Sequence, residues 1–216
     1  SMALVHRFYD VWDGQVLVGG HDVREVTQDS LGNSIAMVLQ EPFLFTGSVL
    51  ENIRYAKTDA SLDEVMQATK AVGAHDFIMA LPKGYDTKLE QRGGNLSLGQ
   101  RQLLSFARAL VQDAKILVLD EATASIDSYT ELQIQEALKV LLKGRTGMVI
   151  AHRLATIRNA DRILVLQNGV LIEQGNHDQL MKLGGLYARL YNMNYASFDD
   201  IPEDLIPQGA GVGAAT

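Results

Sequence analysis

Cysteine is absent from all 216 residues. That excludes a disulfide scaffold and thiolate metal sites, and fits a reducing compartment. Long apolar runs are missing too: no stretch approaches the ~20 residues a helix needs to cross a bilayer, and no signal-like segment opens the chain. Any membrane attachment is expected to come through a partner or through a segment outside this sequence. Positive charge is scarce. With 19 Lys and Arg against 26 Asp and Glu, the formal net charge is -7, which argues against a nucleic-acid surface, because phosphate contacts need clustered cations. What the chain does have is apolar content, 47%, enough for one sizeable core with room for a subdomain.

The most telling stretch is Ile116-Leu117-Val118-Leu119-Asp120-Glu121. Four consecutive aliphatic residues without polar alternation predict a strand buried on both faces, as in the middle of a parallel sheet covered by helices. In such sheets ligands bind at the carboxyl ends of the strands, so Asp120 and Glu121 stand where a bound ion or nucleotide would be met. Taken alone, the run fits equally well a core strand ending in solvated acids.

Around it the local signals are clear. Asp13-Gly14 turns the chain into a short strand, Gln15 to Val18; a short helix or turn is expected over Asp22 to Leu31, then a strand from Ile35 to Leu39. Pro42 biases Glu41 toward extended geometry, which places Gln40 at a strand-to-loop junction. Phe43-Leu44-Phe45-Thr46-Gly47-Ser48 is an apolar loop before a helix from Val49 to Tyr55, and aromatics in such a loop usually fold back into the core. Ser61 with Glu64 caps a helix carrying Leu62, Val65, Met66 and Thr69 on one face, and Ser97 with Gln100 forms a second capping box. The helix it opens has Leu103, Phe106, Ala107, Leu110 and Val111 on its apolar face. Another helix is predicted over Glu131 to Leu142, closed by Lys143-Gly144. The strand Gly147 to Ala151 delivers His152. Asn168-Gly169 between two apolar runs is a strong type I′ hairpin signal, and closing helices are expected over His177 to Leu183 and Leu186 to Tyr191. Beyond Asn192 the acidic and Gly-Ala-rich composition predicts a poorly ordered tail.

The ordered set Ser97-Leu98-Gly99-Gln100, Leu119-Asp120-Glu121, Ser125-Ile126-Asp127 and Ala151-His152-Arg153 resembles the signature, Walker B, D-loop and switch-histidine motifs of ATP-binding cassette (ABC) transporters. Each motif alone is weak; in this order they are specific. The resemblance runs from Arg7-Phe8-Tyr9-Asp10 to Leu190 and is strongest toward exporter-type cassettes. It implies an α/β fold: a P-loop NTPase (RecA-like) core over residues 1–45 and 113–192, an inserted α-helical subdomain over 46–112, and a flexible tail over 193–216. Two features depart from the family. The phosphate-binding loop G-x-x-x-x-G-K-S/T occurs nowhere in the sequence, so the chain is expected to begin just after it, and Leu98 stands where glycine is commonest.

The resemblance also implies roles. Asp120 would hold Mg2+, with Gln40 completing the metal environment. Glu121 would act as general base, and His152 would orient the γ-phosphate of ATP. Ser97, Gly99 and Gln100, with Asp127 of the D-loop, would close over nucleotide bound by a second cassette, in a homo- or heterodimer. The partners implied are that second nucleotide-binding domain and a transmembrane domain, at the cytoplasmic face of the cell membrane. Phe43-Leu44-Phe45 and the Glu90 region would face the membrane domain's coupling helices. Two other readings stand beside this one. A chromosome-maintenance ATPase shares the signature and Walker B motifs but contains long heptad coiled coils, which this sequence lacks. A non-hydrolysing regulatory cassette fits the missing loop, whereas Glu121 and His152 argue for hydrolysis.

Overall fold

A computed structural model describes residues 2–121, 127–151 and 157–193. The chain divides into two compact units, Ser1–His152 and Arg153–Thr216. In the first, a short helix α1 (Met2–Val5) leads to a minimal antiparallel pair, β1 (Leu17–Val18) and β2 (His21–Asp22). Helix α2 (Gln28–Ser34) starts later than the sequence predicts, because the Thr27 side chain accepts from Ser30 N–H and fixes the first turn there. Strand β3 (Ile35–Val38) follows directly.

The central sheet has the order β3-β6-β7, where β6 is Ile116–Glu121 and β7 is Thr146–Ala151, and both pairings are parallel. The expectation of a doubly covered middle strand holds. Leu117 and Leu119 enter a large core with Leu103, Phe106, Ile134 and Leu138, while Val118 enters a second cluster with Val23, Leu31 and Ile35. Successive residues thus feed opposite faces, and an unbroken aliphatic run is what that geometry requires.

Between β3 and β6 lie α3 (Val49–Arg54), α4 (Leu62–Ala71), α5 (His75–Ala80), a two-residue pairing of β4 (Gly47–Ser48) with β5 (Lys88–Leu89), and α6 (Leu98–Gln112). Capping boxes at Ser61 and Ser97 form as the sequence predicts, and a third, Ser48 with Glu51, opens α3. Helix α6 is buried around more of its circumference than its predicted stripe: Leu104, Ser105 and Ala109 are covered as well as Leu103, Phe106, Ala107 and Val111. The reason is its place in the middle, against β3 and α7 (Ser128–Leu142) on one side and α3 and α4 on the other. One apolar cluster therefore runs from Ile53, Val65 and Ile78 through α6 to the sheet.

In the second unit, β8 (Ile163–Gln167) and β9 (Val170–Gly175) form an antiparallel hairpin. Its turn residues Asn168 and Gly169 both have positive φ, 50° and 80°, as a type I′ turn demands. Helices α8 (His177–Leu183) and α9 (Leu186–Met193) follow as expected. The Glu173 carboxylate accepts from the N–H groups of Leu186 and Tyr187, tying the start of α9 to the hairpin. Among the described residues no helix is long and apolar enough to cross a membrane.

Candidate functional site

Parallel pairing decides where the acidic pair goes. Val38 on β3 lies opposite Leu119 on β6, and Asp120 and Glu121 lie opposite Ile150 and Ala151 on β7. All three strands thus end at one edge of the sheet. Gln40 follows two residues after Val38, exposed in a bend, while Asp120 is half-buried. His152 belongs just beyond β7 and, with Ser125 and Ile126, lies outside the described residues.

Asp120 and Gln102 line a small cavity of about 10 Å3 together with apolar side chains including Val38, Phe106, Leu119 and Ile134. That is about the room one water needs. Gln102 is 3% exposed, and its Oε1 is buried without a hydrogen-bond partner. A glutamine of α6 and the aspartate of β6 therefore share one pocket, a link with no local signal in the residue pattern.

The second predicted cluster stands at the start of α6. Ser97 is the N-cap; its Oγ accepts from Gln100 N–H at 3.2 Å, and Gln100 Oε1 accepts from Ser97 N–H at 2.9 Å. The Ser97 hydroxyl proton is left over for another acceptor, and the first N–H groups of the helix point the same way. The approach to this cap is held firmly. Arg101 Nη1 donates to the carbonyl of Leu96 at 2.7 Å, and Gly93, at φ 70°, has no space for a Cβ, which would come within 2.8 Å of Leu44 Cδ1. Asp127 caps α7 by accepting from Thr130 N–H at 3.0 Å. The Thr130 hydroxyl and N–H together hold the Asp127 carboxyl below the usual carboxylate range.

The Phe43–Phe45 loop does not follow the general tendency of loop aromatics to fold back into the core. Only Leu44 folds fully into the core; Phe43 and Phe45 remain 47% and 37% exposed. They stay out because their backbone is anchored from below. The buried Asn52 accepts from Phe45 N–H at 2.8 Å and donates to the carbonyls of Phe45 and Ser48. Arg108 donates to the carbonyls of Phe43 and Asn52, and its guanidinium lies 5.9 Å from the Phe45 ring centroid and 5.6 Å from that of Tyr55. A lone arginine within the apolar run of α6 was the available signal for this latch.

The family profile described as ABC transporter matches residues 2–124. The chain belongs to that family. It is 54% identical over 194 residues to the ABC transporter ATP-binding protein YknV of Bacillus subtilis, covering 90% of this chain and 32% of that protein. With the ATP-dependent lipid A-core flippase of Syntrophus aciditrophicus it shares 48% identity over 202 residues, 94% of this chain and 33% of the flippase. A solved bacterial Atm1-family ABC exporter with ATP bound superposes with a TM-score of 0.84 at 42% identity, over 91% of this chain and 34% of that one. This ABC chain thus spans about a third of the length of the relatives it matches. Its fold is the ABC nucleotide-binding fold of the P-loop NTPase class.

Proposed function

We propose that this chain is the ATP-binding and ATP-hydrolysing part of an ABC exporter, working with a transmembrane domain at the cytoplasmic face of a membrane. The observation that carries the reading is the shared edge at which β3 leads to Gln40 and β6 ends in Asp120 and Glu121, beside the end of β7. Residues 46–112 act as the helical subdomain of that machine, and residues 1–45 and 113–192 as part of its ATPase core.

The donor set suits Mg2+. Carboxylate and amide oxygens are what a hard cation takes, and Mg2+ usually keeps several waters and substrate phosphates as its other ligands. Asp120 and Gln40 would hold it, and when bound it would offset charge on the β- and γ-phosphates. Glu121, next along the strand, takes the proton of the attacking water. His152 steadies the γ-phosphate. The Ser97 hydroxyl and the amino end of α6 receive the nucleotide of a second cassette, with Gln100 holding Ser97 in place and Asp127 flanking the same interface. Phosphoryl transfer depends chiefly on such positioning, so each of these residues matters well beyond its share of contacts.

The test is calorimetric titration with Mg-ATP of this 216-residue chain beside a chain extended upstream through a G-x-x-x-x-G-K-S/T loop. Micromolar binding by the extended chain and none by the shorter one is expected, because that loop's lysine and backbone N–H groups supply most phosphate contacts. An extended chain that binds no nucleotide would overturn the reading.

A further inference from the structure

Gly99 is buried within its own chain. A Cβ built there would collide with Thr130 Cγ2, while Thr130 Cβ and Ile134 Cδ1 would stand at ordinary contact distances of 3.6 and 3.8 Å. The methyl of Thr130 therefore fills the notch in α6 that a glycine leaves. The same Thr130 supplies the N–H that Asp127 accepts at 3.0 Å, and its hydroxyl also serves that carboxylate. A threonine is the residue that does both jobs. Serine would keep the hydroxyl and lose the methyl; valine would do the reverse.

We propose that Thr130 is a positioning residue: its methyl, seated in the Gly99 notch, fixes the separation between Ser97 at the head of α6 and Asp127 at the head of α7. The two exposed caps then reach a second cassette as one rigid element rather than as two independent helix ends. This rests on the proposed function above, in which both caps face the partner's nucleotide. It assigns the glycine of the signature a task inside its own subunit, and it makes a displacement of either helix move both caps together.

The contact can be tested by moving one methyl group from one helix to the other. In the full-length transporter, Gly99→Ala puts a methyl into a filled notch, Thr130→Ser empties the notch, and the double variant fills it from the opposite side at conserved volume. The quantity read is the concentration of a non-hydrolysable ATP analogue giving half-maximal dimerisation, with thermal unfolding alongside. Gly99→Ala is expected to raise that concentration by about tenfold or more, Thr130→Ser by about two- to fivefold, and the double variant to recover at least about half of the loss, on a logarithmic scale, that Gly99→Ala causes alone. A merely structural role would leave Thr130→Ser at the unsubstituted value, and that result overturns the proposal. So does a double variant no better than Gly99→Ala, which would mean the glycine is needed for approach to nucleotide. Should Gly99→Ala fail to fold, recovery of fold and dimerisation in the double variant still decides the matter. Absence of nucleotide-dependent dimerisation in the unsubstituted protein would instead sink the exporter reading beneath it.

Discussion

Arg108 and Asn52 are joined twice across 56 residues of chain: Arg108 Nε donates to the Asn52 carbonyl at 2.8 Å, and Nη2 donates to Asn52 Oδ1 at 3.2 Å. The Asn52 side chain in turn holds Phe45 and Ser48, so the aromatic loop is fixed to α6 through a buried amide. Replacing Asn52 by Ala takes the side-chain partner from the Phe45 N–H and carbonyl in a part-buried site, and from the Arg108 guanidinium. A loss of about 2–4 kcal/mol is expected in urea unfolding. A loss under about 0.5 kcal/mol, the usual scale of a surface substitution, would show that the loop is held by other contacts.

Acid sensitivity is concentrated in exposed, hydrogen-bonded carboxyls. The Lys57 ammonium, then the Ser61 N–H, hold the Glu64 carboxyl down at about 2, and Arg24 does the same for Asp22. A depressed folded-state value means that each contribution is present above the ordinary carboxyl range and is lost as pH falls toward about 2. Urea midpoints are therefore expected to hold steady down to about pH 4.5 and then to decline. Glu64→Gln keeps a side chain that can close the capping box but has no proton to take up, so its acid decline should be shallower. An acid limb identical to that of the unsubstituted protein would contradict the assignment.

Gln102 gives a prediction of opposite sign. Its Oε1 is buried without a partner, and apart from Asp120 the pocket it helps to line is apolar, so Gln102→Met should remove a desolvation penalty at nearly constant volume. A gain of about 1 kcal/mol, about 2–4 °C in Tm, is expected. A fall in Tm would mean that a bound water satisfies the amide and is lost with it.

What was legible in the sequence was what is local. Ile116 to Leu119 announced a two-sided strand because both faces need aliphatic residues. Ser61 with Glu64 and Ser97 with Gln100 announced helix starts because a cap is completed within three residues. The Ser48 and Glu51 box has the same spacing and could have been read in the same way. Local pattern did not bring Gln40 to the Asp120-Glu121 pair; the family resemblance implied it, and the β3-β6-β7 register is what sets both at one edge. The Asn52–Arg108 latch, the Gly99–Thr130 notch and the Gln102 pocket depend on helices meeting far along the chain, and no local pattern specifies which residues meet. Phe43 and Phe45 depart from the average inward tendency of apolar side chains for a related reason: the anchors that hold their backbone come from Asn52 and, far along the chain, Arg108.

The central claim is that the carboxyl end of β6 is where ATP is hydrolysed, with Glu121 taking the proton from water. The most direct measurement is steady-state and single-turnover ATP hydrolysis by the full-length transporter carrying Glu121→Gln, with nucleotide binding measured in parallel. Binding should persist while turnover falls by roughly two to four decades, on the order of 3 to 5 kcal/mol in the barrier. Turnover within about threefold of the unsubstituted protein, well short of the effect of removing a general base, would contradict the account.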